Sequence, residues 1–99
     1  MNKNKRKFLL DILKKIENID KDVFTCSYKV KPIGSRYEWW EISVSSASLY
    51  SSERFVRLKS CWQKLSKLKN IDILFVYRSF ISEEELLKYS ENDELLMIL

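Results

Sequence analysis

Val23–Val44, VFTCSYKVKPIGSRYEWWEISV, decides the fold class of this chain. Phe24, Cys26, Tyr28 and Val30 alternate with Thr25, Ser27 and Lys29, so residues 23–31 read as a strand with one buried face. Pro32-Ile33-Gly34-Ser35 then suits a type I turn, with Pro at its second position and Gly at its fourth. Residues 36–45 send Trp40, Ile42 and Val44 to one side and Tyr37, Trp39, Glu41 and Ser43 to the other. Two such strands joined by turn chemistry predict an antiparallel hairpin.

Helical periodicity flanks the hairpin on both sides. Phe8, Leu9, Ile12, Ile16 and Ile19 share one face, which places a first helix at about residues 5–18. The cationic residues 1–7 before it oppose a helix dipole and are expected to fray. After the hairpin, Ser43–Ser52 reads as a strand end and a loop that delivers Ser51 or Ser52 as an N-cap. Ser52–Lys69, SERFVRLKSCWQKLSKLK, is then one amphipathic helix, with Asn70 available as a left-handed cap. Phe55, Leu58, Cys61, Trp62, Leu65 and Leu68 form its apolar side, while Arg57, Lys59, Lys64 and Lys67 project outward.

Ile71–Tyr77 is apolar on both faces, as a covered strand should be. Ser82 with Glu85 forms a capping box that opens a helix running to about Ser90. Asn92–Leu99 fits either a helical turn or a last strand. The order α-β-β-α-β-α predicts a small α+β domain with a three-stranded mixed sheet and helices packed mainly on one face. A right-handed crossover makes the third strand parallel to the second, in the spatial order 2-1-3.

Composition excludes more than it identifies. Ninety-nine residues with 45% hydrophobic side chains suit one modest core. The absence of His removes the commonest general base and metal ligand, and a single glycine rules out phosphate-cradling loops. Neither an enzyme activity nor a cofactor nor a metal is therefore expected. Cys26 and Cys61 read as buried, reduced thiols, which together with the lack of a signal-peptide core or an apolar span predicts a cytoplasmic protein without membrane attachment.

Charge is distributed unevenly. Residues 51–81 carry seven basic and two acidic side chains, whereas residues 82–99 carry one and six. The basic helix face (Arg57, Lys64 and Lys67, flanked by Arg54 and Lys59) is the one strong pointer to a partner, an acidic one. Two plainer uses compete for it: a solvated face, and internal pairing with Glu83–Glu94. Because Trp39 and Trp40 point to opposite faces, Trp39 joins Tyr37 on the second sheet face near Leu74 and Val76. That face is either covered by Leu95–Leu99 or exposed as an interface or a base-stacking platform.

No family is recognised. The element order invites comparison with the double-stranded RNA-binding domain, but that fold places three strands before its second helix and only two are expected here. In general character the chain is similar to small phage and mobile-element proteins that inhibit host machinery by stoichiometric binding. The expectation is a non-enzymatic binding protein that docks its basic helix and sheet aromatics on nucleic acid or a nucleoprotein complex, a host defence complex among them. The alternative is a homodimer built on the Tyr37/Trp39 face, with the charges serving solubility.

Overall fold

The computed structural model describes residues 2–98. It is a small α+β domain with the element order α1 (Lys3–Ile19), β1 (Thr25–Val30), β2 (Trp39–Val44), α2 (Ala47–Tyr50), α3 (Glu53–Leu68), β3 (Ile73–Tyr77), α4 (Glu83–Ser90) and β4 (Leu95–Met97). The hairpin is present: β1 and β2 pair antiparallel, with Ser27 opposite Ile42 and Tyr28 opposite Glu41. β3 runs parallel to β2, as expected of a strand that returns from a crossover helix.

The sheet has four strands in the order β3-β2-β1-β4, which corrects the expected three strands in the order 2-1-3. α3 returns the chain to the free edge of β2, and the other edge of β1 is taken by Leu95–Met97, antiparallel to Cys26–Tyr28. The turn is also different. Ser35 N–H donates to the Pro32 carbonyl, so Gly34 occupies the third position of the turn with φ of 77°, the conformation a type II turn requires. The connection is longer than a tight hairpin, because β2 begins only at Trp39. Ala47–Tyr50 is a helical turn capped by Ser46 where a plain loop was expected. α1 starts at Lys3, because the Asn2 side chain accepts from the N–H groups of Asn4 and Lys5, so the stretch expected to fray is helical from that residue on.

The register explains why β1 is buried on both faces. Residues opposite one another share a face, so Thr25, Ser27 and Lys29 lie with Trp40, Ile42 and Val44. On that face α1 packs against β1 and β4, and α3 against β3. Its core holds Leu9, Leu13 and Ile16 of α1 with Phe55, Trp62, Ile42, Phe75 and Leu96. Phe75 is its aromatic centre, stacked by Trp62 and met edge-on by Phe55, each with ring centroids 5.8 Å away. The small Ser27, fully buried, stands on the face α1 covers. Cys26 and Tyr28 point the other way, to the face of Glu41, Ser43, Leu74 and Val76.

α4 covers part of this second face, with Tyr89 stacked on Tyr28 at 4.5 Å. Helices therefore lie on both sides of the sheet. Of the two states expected for this face, cover by Leu95–Leu99 or exposure, the first is replaced by partial cover from α4, since Leu95–Met97 is itself a strand; Leu99 lies outside the described residues. Phe24, expected on the buried side of the first strand, is 46% exposed just ahead of β1.

Candidate functional site

α3 has firm ends. Ser52 caps its start, its Oγ accepting from Phe55 N–H. At its other end Asn70 adopts φ of 60°, Asn70 N–H donates to Lys67 and Ile71 N–H donates to Ser66, the paired bonds of a Schellman motif. Both caps stand where the sequence placed them.

The roll of the helix between those caps differs from expectation. The buried stripe is Phe55, Trp62 and Ser66, with Leu58 half-buried beside it. Leu65 is 39% and Leu68 84% exposed, and Cys61 is exposed as well, so three of the six residues assigned to the apolar side lie outside the core. The reason is packing on Phe75. Both Phe55 and Trp62 must reach that ring, which centres the buried arc on them and turns Leu65, Leu68 and Cys61 toward the rim. Small Ser66 takes a buried place, its Oγ donating to the Gln63 carbonyl.

Lys64 and Lys67 are exposed and form no ion pair among the described residues. Arg54, also exposed, lies with Arg57 at the first turns of α3. Arg57 pairs with Glu53 one turn earlier, which neutralises part of its charge. Lys59 leaves the outward row, its Nζ lying 5.2 Å from the centre of the Tyr50 ring. Lys69 lies over Phe8 of α1 in the same manner, at 5.6 Å.

The acidic segment pairs elsewhere. Asp93 meets Arg6 at 3.8 Å, Glu94 meets Lys29 at 3.8 Å, and Glu85 meets Arg78 at 2.8 Å. Among the described residues no ion pair joins Glu83–Glu94 to α3, which lies across the opposite face of the sheet.

The sheet aromatics do not share a surface with the basic helix. Trp39 lies on the second sheet face, half-buried, with its Nε1–H donating to Glu41 Oε1 at 3.2 Å. Tyr37 precedes β2 in the loop and is 80% exposed. Leu74, on that face, is 44% exposed.

Sequence reasoning missed one constellation altogether. Tyr28 Oη donates to Glu41 Oε2 at 2.9 Å, Arg78 Nη1 donates to Tyr28 Oη at 3.2 Å, and Arg78 Nη2 donates to both oxygens of Glu85. This network spans β1, β2, the end of β3 and α4. The capping box is consequently half-made: Ser82 Oγ accepts from Glu85 N–H, but the Glu85 carboxylate turns to Arg78. Its only sequence signal was an unpaired Arg directly after an apolar strand.

Burial pushes the Tyr28 phenol up to about 12, against the lowering pull of Arg78, and pushes the Cys26 thiol up to about 12 as well. Tyr89 is raised too, first by burial. Hydrogen bonds to Tyr28 and then Glu85 hold Arg78 firmly protonated. These groups are locked in their resting protonation states, which suits a fastener better than a proton-transfer site. Among the described residues, no cluster of three or more His, Cys, Asp or Glu side chains is placed to hold a metal ion, and no helix is long and apolar enough to cross a membrane.

No family model, curated protein or solved structure matches the chain.

Proposed function

We propose that this protein is a non-enzymatic binding module whose working surface is the outer face of α3, and that its partner is an acidic macromolecule. The observation that carries this reading is the pair Lys64 and Lys67, held on a capped helix, exposed and without an ion pair among the described residues. Arg54 and Arg57 extend the positive field toward the start of the helix.

A capped helix suits docking because the backbone that carries the charges is ordered before the partner arrives, which limits the ordering cost of association to the side chains. A chain of 99 residues with these features fits stoichiometric binding, and inhibition of a host nucleoprotein complex belongs to that class. The sheet aromatics are left out of this surface: Trp39 spends its N–H on Glu41 and lies on the opposite layer.

The test is charge reversal. Lys64→Glu with Lys67→Glu should abolish partner binding while leaving far-ultraviolet circular dichroism unchanged. A steep fall of affinity with salt indicates a phosphate backbone, with a slope of roughly −0.9 per contacted phosphate on duplex DNA. A shallow slope indicates an acidic protein surface.

A further inference from the structure

α3 and α4 lie on opposite faces of the sheet, and each presents outward what the other lacks. On α3, the unpaired Lys64 and Lys67 stand beside Leu65 and Leu68, 39% and 84% exposed. On α4, Glu83, Leu87 and Glu91 follow one another at four-residue spacing along a single outward line, with Glu84 beside them. Leu87 is 64% exposed, and none of these three glutamates forms an ion pair among the described residues. Both surfaces thus have exposed leucine bordered by charge that is mainly of one sign, three glutamates against Lys88 on α4, and the prevailing signs are opposite. Within one copy they cannot meet, because the sheet and its core separate them.

We propose that the outward face of α4 docks on the outward face of α3 in a second copy of this chain. Leucines meet at the centre and the glutamates face the lysines at the rim, an arrangement of apolar core and charged border usual for interfaces. The contact is heterologous, since it joins two different patches. A pair retains one unused α3 face on one copy and one unused α4 face on the other. Association therefore continues head to tail beyond a dimer, and added salt disperses it.

This surface overlaps the docking face proposed above and competes with it, but the experiment uses purified protein alone. A monomeric result removes the self-contact and leaves external docking standing. The measurement is sedimentation equilibrium on the full chain at low salt, starting from a monomer of 11.9 kDa. The wild type should show a weight-average mass that passes roughly twofold without a plateau as concentration rises, and returns to monomer at about 0.5 M salt.

Two variants isolate the two ends: Lys64→Glu with Lys67→Glu on α3, and Leu87→Ser on α4, which keeps the glutamates of α4 so that the two altered faces repel one another. Each alone should be monomeric. Mixed, they retain one intact α3 face and one intact α4 face, so they should form a one-to-one pair that grows no further. Should the α4 variant lose its helical signal, Leu87→Gln, a better helix former, replaces it in the mixture. A wild type that stays monomeric throughout, a mass that stops at a dimer, or a mixture that fails to pair overturns the proposal.

Discussion

Arg78 and Glu85 hold α4 to the sheet: Nη2 of Arg78 donates to both carboxylate oxygens of Glu85, at 3.0 and 2.8 Å, while its Nη1 donates to Tyr28 Oη. One side chain at the end of β3 thereby joins the helix that follows it to a strand far earlier in the chain. Arg78→Met removes the clamp and leaves Glu85 without its partner. Because both side chains are partly exposed, the cost should be about 1–2 kcal/mol, below the roughly 3–5 kcal/mol of a fully buried pair broken on one side. Urea unfolding measures it, and a change below about 0.5 kcal/mol would show that the Tyr28–Tyr89 stack alone secures α4.

The raised phenol and thiol make the fold sensitive to alkali. Tyr28 and Cys26 move up from ordinary values of 10.0 and 9.0 to about 12. Between those values the unfolded chain loses a proton that the folded chain keeps, so stability is complete below about pH 9 and falls as pH rises toward 12. Tyr28→Phe should flatten the upper part of that decline and Cys26→Ala the lower part, read as urea midpoints against pH. A midpoint independent of pH from 9 to about 12 would contradict the burial of both groups.

Ser27 sets how closely α1 can lie on the sheet. It is fully buried on the face that α1 covers, and its Oγ donates to the Glu41 carbonyl. Ser27→Leu adds bulk with no space to receive it and should cost about 1–3 kcal/mol. Ser27→Ala, which forfeits only the hydrogen bond, should cost about 1 kcal/mol. Equal losses from the two variants would mean that the helix adjusts freely.

Asn70 is the left-handed residue that ends α3. Asn70→Gly should leave stability nearly unchanged, whereas Asn70→Val should cost about 1–2 kcal/mol, because a branched Cβ opposes positive φ. Thermal unfolding resolves this, at roughly 4–8 °C for each kcal/mol in a domain of this size.

Local chemistry in this chain was readable at several positions where one residue decides it, though not at Asn2 or Gly34, whose cap and turn position differ from expectation. Ser52, Asn70 and the alternation of residues 39–44 announce a cap, a helix end and a strand without reference to the rest of the fold. What stayed hidden depended on distant partners. Leu65 and Leu68 continue the apolar period of α3 but lie off its buried arc, because Phe55 and Trp62 both converge on Phe75, a residue from the next strand. Leu95–Met97 is too short to reveal its pairing with β1 by pattern, and its placement changed the order of the sheet. Glu85 was read from its local signal as a capping residue, while Arg78, adjacent only in space, claimed its carboxylate. The basic row was visible as charge, with Glu53 as its one acidic neighbour, but Tyr50 under Lys59 was not; Glu53 on Arg57 and Tyr50 under Lys59 leave Lys64 and Lys67 as its freest members.

The central claim, that α3 docks an acidic partner through these lysines, is tested most directly by paired affinity capture from the native host. Wild type and the Lys64→Glu, Lys67→Glu variant are compared at matched fold and concentration, with and without nuclease. The account predicts a partner retained by the wild type and lost by the variant, with nuclease sensitivity separating nucleic acid from protein. Retention of the same partner by the variant would contradict it.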